Sequence, residues 1–155
     1  MSDKSPNTWS GFLATCIERE NLSEKLYLDA MNRVEDPASK KILERMAREE
    51  RKHAALLQRA LETGRIDGLS ASDHRPPTAS PNTRASREIT TKSRPADVFA
   101  YAIEKEERSI DYYQRYLDAF RGTEFAELFE RLIREEENHR QQAERLFVQY
   151  GGEFK

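Results

Sequence analysis

An internal repeat constrains this chain more than any other feature. Shifting the first half by 86 positions, with no gap, lays IERENLSEKLY (17–27) on IEKEERSIDYY (103–113). The same shift lays LERMAREERKH (43–53) on FERLIREEENH (129–139). Eleven positions are identical: Ile17/Ile103, Glu18/Glu104, Glu20/Glu106, Ser23/Ser109, Tyr27/Tyr113, Glu44/Glu130, Arg45/Arg131, Arg48/Arg134, Glu49/Glu135, Glu50/Glu136 and His53/His139. Shared helical periodicity makes apolar residues coincide. It does not make His53 coincide with His139, or Glu20 with Glu106. Whatever this chain folds into must contain one unit twice, with the same polar groups in each copy.

The unit is a helical hairpin. Leu13, Cys16, Ile17, Tyr27, Ala30, Met31 and Val34 recur at three- and four-residue steps from Thr8 to about Arg33. Asp36-Pro37 reads as an N-cap followed by Pro at the first helical position, and a second helix runs to Thr63 with Gly64 beyond it. Residues 64–95 turn rich in Pro, Ser, Thr, Asn and Gly and read as a linker or long crossover. Helical spacing returns from Pro95 with Val98, Phe99, Ala102, Ile103, Ile110, Tyr113, Leu117 and Phe120. Arg121-Gly122-Thr123 breaks it, Thr123 caps a fourth helix, and Gly151-Gly152 stops it. The expectation is an all-α chain of one domain over 1–155: a four-helix bundle with hairpins at 8–63 and 96–150, joined by the 64–95 crossover between helices 2 and 3.

Composition agrees. Apolar residues are only 37% and charged residues 35%, which suits long helices with one buried stripe. A net charge of -2 gives no reason to expect nucleic acid as a partner. No apolar run approaches a membrane span, and MSDKSPNTWSGF does not resemble a secretory signal, so a cytoplasmic protein is expected. The lone Cys16 excludes an internal disulfide and a four-Cys zinc or rubredoxin-type site.

The repeated polar residues occupy positions where leucine would normally sit. Glu20 lies on the stripe of Cys16, Ile17 and Tyr27, and Glu106 on that of Ala102, Ile103 and Tyr113. Glu50 and His53 share one helix face at i, i+3, as do Glu136 and His139. Glu20 is 16 residues before Asp36 and Glu50 is 14 after it; Glu106 and Glu136 stand in the same relation to Gly122. All six side chains can therefore meet at one level, roughly 21–24 Å from the turns. Four ionised carboxylates in a core repel and are costly to desolvate, and two divalent cations would neutralise them. A lone Glu-x-x-His is usually a solvated face. Two in register, with a matched Glu in each preceding helix, form the di-iron carboxylate pattern. The donors suit iron or manganese, and zinc could occupy them too.

On these residues the chain resembles the rubrerythrin branch of the ferritin-like superfamily: Glu20 with Tyr27, Glu50-Arg-Lys-His53, Glu106 with Tyr113, and Glu136-Glu-Asn-His139. The resemblance covers both hairpins. It implies a ferritin-like bundle whose centre of two iron ions meets hydrogen peroxide or dioxygen. Two departures stand out. One Cys cannot supply the Cys-x-x-Cys ligands of the usual rubredoxin domain, so an external electron-transfer protein is expected. The family's extra glutamate, three residues after the third-helix Glu, is Ser109 here, so ligand exchange through that residue is not implied.

Three functions are open: reduction of peroxide, oxidation of Fe(II) by dioxygen for storage or delivery, and a structural metal centre. Tyr27 and Tyr113 are candidate catalytic residues that could hydrogen-bond near the metals or carry a radical; packing explains them as well. Glu24, Glu49 and Glu135 read as solvated surface in preference to groups supporting the metals, and His74 as solvated linker. Cys16 reads as a small core residue, and Trp9 as a cover for the start of the first helix. A homodimer is expected. The linker is long enough for hairpins to exchange between chains, but pairing within one chain is the first expectation.

Overall fold

Thr8 starts the first helix. Its hydroxyl accepts the Gly11 N–H at 2.9 Å and satisfies one of the donors a helix start leaves free. The computed structural model describes residues 8–69 and 89–154, and the chain is all-α over them. Helix α1 spans Trp9–Arg33, α2 Pro37–Thr63, the short α3 Ile66–Leu69, α4 Pro95–Leu117 and α5 Glu124–Gln149. The punctuation residues act as their chemistry predicts. The Asp36 carboxylate caps α2 by accepting Ser39 N–H at 3.1 Å, with Pro37 in the first turn. Gly64 closes α2 at φ 68°, a left-handed conformation that residues with a Cβ rarely adopt. Thr123 caps α5, accepting Phe125 N–H at 3.2 Å.

Two local details differ from the sequence expectation. The third long helix ends at Leu117, and a single 3-10 turn, Asp118–Phe120, finishes it while burying Ala119 and Phe120. The start of the 64–95 segment is also built into the bundle. Ile66 is fully buried, and the Asp67 carboxylate accepts Ser10 N–H at 3.1 Å and the Ser10 hydroxyl at 2.8 Å. Most of the crossover, with His74, lies outside the described residues.

Helix α1 packs along α2 and α4 along α5; the hairpins then meet with α1 on α4 and α2 on α5. Two apolar clusters fill the ends. One joins Trp9, Phe12, Leu57 and Leu61 to Tyr112, Phe120, Phe125 and Phe129. The other joins Val34, Leu43 and Met46 to Val98, Phe99 and Leu146. The turn of each hairpin thus packs against the open end of the other, and α2 and α4 run in the same direction. Equal distance from the turns would not by itself bring residues of such opposed hairpins to one level. They meet because they are helix midpoints: Glu20 is the twelfth of 25 residues in α1, Glu50 the fourteenth of 27 in α2, Glu106 the twelfth of 23 in α4 and Glu136 the thirteenth of 26 in α5.

The Asp67 clasp is the first point to test. Asp67→Ala leaves the buried Ser10 without these acceptors, and should lower unfolding free energy by about 1–2 kcal/mol. Urea denaturation measures it, and an unchanged midpoint would mean that α3 does not hold α1.

Candidate metal centre

Glu20, Glu50, His53, Glu106, Glu136 and His139 are each no more than 2% exposed, between the two apolar clusters. Their donor atoms form two overlapping groups: Glu20, Glu50, His53 and Glu136, and Glu50, Glu106, Glu136 and His139. Within each group the atoms lie within 4.8 Å of one another. Glu50 and Glu136, the first residues of the two Glu-x-x-His pairs, belong to both. Each group adds one glutamate and one histidine of a single hairpin: Glu20 and His53 of the first, Glu106 and His139 of the second.

The imidazoles face inward through Nδ1. His53 Nδ1 lies 2.9 Å from Glu136 Oε1 and 3.5 Å from Glu20 Oε2. His139 Nδ1 lies against Glu50 Oε1 without hydrogen-bond geometry, and 3.7 Å from Glu136 Oε2. Glu20 Oε2, both Glu50 oxygens and Glu106 Oε2 are buried with no hydrogen-bond partner. Buried carboxylate oxygens are rarely left so, and a cation placed among them would satisfy them all at once. The six residues fit metal ions on that ground.

The tyrosines are the hydrogen-bond donors that spacing alone left open. Tyr113 donates to Glu20 Oε1 at 2.7 Å, and Tyr27 donates to Glu106 Oε1. Each reaches from one hairpin to the glutamate of the other, orienting it and leaving its second oxygen free.

Glu49 and Glu135 correct the expectation of simple solvated surface. His139 donates from Nε2 to Glu49 Oε2 at 2.6 Å, and His53 from Nε2 to Glu135 Oε2 at 2.7 Å. Both glutamates are half-buried and cross the α2–α5 seam to fix the ring of the opposite histidine, so that Nδ1 faces the cluster. Their identity in the repeat was the available signal. It was diluted because Glu44/Glu130, Arg45/Arg131 and Arg48/Arg134 repeat equally well and are exposed. Glu24 is half-buried and paired with Arg51 at 2.6 Å. Cys16 is fully buried, and burial pushes its thiol far above the usual range, as expected of a core residue. Trp9 packs edge-on to Phe12, Tyr116 and Phe120. Ser109, at the place of the family's extra glutamate, accepts a hydrogen bond at 3.1 Å from the buried Arg19 guanidinium. Among the described residues no helix is long and apolar enough to cross a membrane.

A family model described as Rubrerythrin matches residues 11–91 and 97–155, spanning both hairpins. Among curated proteins and solved structures nothing matches the chain.

Without metal, protons balance the cluster. Burial first, then the negative charge of Glu136, pushes the Glu50 and Glu106 carboxyls well above the usual carboxylate range. Burial raises Glu136 too, but the closeness of Glu106, His139 and His53 outweighs it and holds that carboxyl well below. Burial pulls both imidazoles down. Close contacts with the Glu136 and Glu20 carboxylates more than compensate at His53, pushed up to about 10. Those with Glu136 and Glu49 push His139 up to about 11. Groups that gain proton affinity on folding stabilise the fold while protonated. The histidine contribution is whole below 6.5 and is lost as pH rises through about 10 and 11. Raised Glu50 and Glu106 act in the same sense; lowered Glu136 and Glu49 lose theirs only in acid. Metal-free protein should therefore melt at progressively lower temperature as pH rises from neutral past 10. Calorimetry at a series of pH values checks this, and a flat profile over that window would contradict proton sharing in the cluster.

Proposed function

Because the chain belongs to the rubrerythrin family, we propose that it is a non-haem di-iron oxidoreductase that reduces hydrogen peroxide with electrons from an external protein. The observation that carries this reading is the pair of ligand groups sharing Glu50 and Glu136. In this reading those two carboxylates would serve both ions. Glu20 and His53 complete one position, and Glu106 and His139 the other. When bound, the iron pair supplies the two electrons that convert peroxide to water. Manganese or zinc can take the same donors without that redox role.

The protein's own groups set the conditions. Tyr113 and Tyr27 keep their protons, since burial and then the facing Glu20 and Glu106 push both phenols well above their usual range. They remain donors to those glutamates and hold them in place. Glu49 and Glu135 keep the histidine Nε2 protons, leaving Nδ1 to turn its lone pair inward once its own proton is displaced. The apolar clusters close both ends of the layer. Cys16 is the only cysteine among these 155 residues, and in this reading reducing equivalents arrive from a partner. A cytoplasmic homodimer with one centre in each chain completes the proposal.

Metal analysis after iron-supplemented expression tests the ligands. Glu20→Ala should lose one ion, and Glu136→Ala, common to both groups, should lose both. Full occupancy in both variants would place the ions elsewhere.

Stopped-flow mixing tests the oxidant. The diferrous protein should be oxidised faster by peroxide than by dioxygen. Faster oxidation by dioxygen with continued Fe(II) uptake would favour iron handling for storage or delivery.

A further inference from the structure

The two halves place the same groups around the centre but not the same residues behind them. At the 86-residue offset, Tyr112 corresponds to Leu26, Tyr116 to Ala30 and Trp9 to Pro95. Tyr113 is therefore backed by oxidisable rings where its counterpart Tyr27 is not. The Tyr113 and Tyr112 ring centres are 6.5 Å apart, Tyr112 and Tyr116 5.5 Å, and Tyr116 and Trp9 5.9 Å. Tyr113 and Tyr112 are buried, and Tyr116 is half-buried, so the series leads from the glutamate layer towards solvent. The ring contact described for Tyr27 is with His139 alone, and its cluster is built from Leu26, Ala30, Val34, Met46 and Phe99. Tyr101 and Tyr150 pack on the rim of that cluster, with no described ring contact to Tyr27.

We propose that Tyr113, Tyr112 and Tyr116, with Trp9 beside them, form a one-sided electron path between the centre and the surface. The inference rests on the di-iron reading above, in which peroxide is the oxidant. Peroxide is the electron acceptor: each molecule converted to two waters takes up two electrons and two protons. Where those electrons do not come from the iron pair they come through the path, which is then used twice, with the two protons drawn from solvent. In each passage Tyr113 gives one electron inward, and its phenol proton moves along the existing hydrogen bond to Glu20 Oε1. No net charge appears on the buried ring, which matters where charge is poorly solvated. Tyr113 then takes an electron from Tyr112 and its proton returns from Glu20. The Arg19 guanidinium lies 5.0 Å over the Tyr112 ring and disfavours positive charge there. Tyr112 is therefore oxidised with loss of its phenol proton to solvent water, and regains an electron from Tyr116 and a proton from solvent. A one-electron reductant in solution, of the ascorbate class or a reduced electron-transfer protein, restores Tyr116 and Trp9.

Phenylalanine substitutions separate this role from packing, because they keep the ring and remove its redox chemistry. Iron-loaded full-length protein, its metal content measured, is mixed with excess peroxide and no reductant. Samples are frozen for electron paramagnetic resonance and digested for mass spectrometry. The expected result is a tyrosyl or tryptophanyl radical, with oxidation products on Tyr116 and Trp9. Tyr112→Phe, which leaves the glutamate layer untouched, should hold the radical on Tyr113 and remove the outer products. Tyr113→Phe should remove them as well, whereas Tyr27→Phe should retain them. Trp9→Phe should shift the products to Tyr116. Equal loss in Tyr27→Phe, or oxidation scattered over sites such as Met46 whatever stands at 113, would overturn the path. So would an absence of radical and outer products in protein that holds iron and consumes peroxide, which would leave the di-iron function intact. Wild-type protein that holds no iron, or consumes no peroxide, would overturn both.

Discussion

Four glutamates are buried at one level of a helical core, and the rest of the architecture answers to that burial. Carboxylates removed from water must be neutralised, hydrogen-bonded or paired. Here the tyrosine hydroxyls satisfy one oxygen each on Glu20 and Glu106. The imidazoles face the layer, and several oxygens are left with no partner in the protein. An apolar core would be easier to fold at this depth. Polar groups kept in such a place, each oriented by a neighbour on another helix, could hold cations.

The repeat makes the layer nearly symmetric, and the departures from symmetry lie just outside it. Tyrosine to glutamate and histidine to outer glutamate occur once in each sense across the hairpin seams. Arg19 has Lys105 as its counterpart, yet Arg19 is the one bonded to the serine of the opposite helix. The apolar clusters differ more. One is rich in tryptophan, tyrosine and phenylalanine, and the other is mainly aliphatic. Two donor groups with matching residues therefore sit in unequal surroundings.

Helix boundaries were legible because capping and breaking residues act locally: Asp36, Gly64 and Thr123 need no tertiary context to do their work. The six inward residues were legible because carboxylate and imidazole on an apolar stripe, repeated in register, are hard to explain otherwise. Glu49 and Glu135 were not separable from the other repeated charges, since their role depends on which helix lies across the seam. The docking of Ile66 and Asp67 was hidden for the same reason: a polar, glycine-containing segment shows its contact with Ser10 only once α1 is in place. The turn at Asp118–Phe120 follows from burial of Phe120 against the opposite hairpin, a contact that periodicity along one helix does not contain.

The opposed packing of the hairpins bears on the order in which the molecule assembles. Contacts within each hairpin join residues close in the chain. Those that close the glutamate layer join residues far apart: Tyr27 and Glu106 are separated by 79 positions, and Tyr113 and Glu20 by 93. Contacts between near neighbours form at lower entropic expense than long-range ones. Each hairpin can therefore take shape with half of the donors already aligned, and the site comes into being only at docking. Since the layer sits at the middle of every helix, docking from either end must slide half the bundle into register before any donor finds its partner.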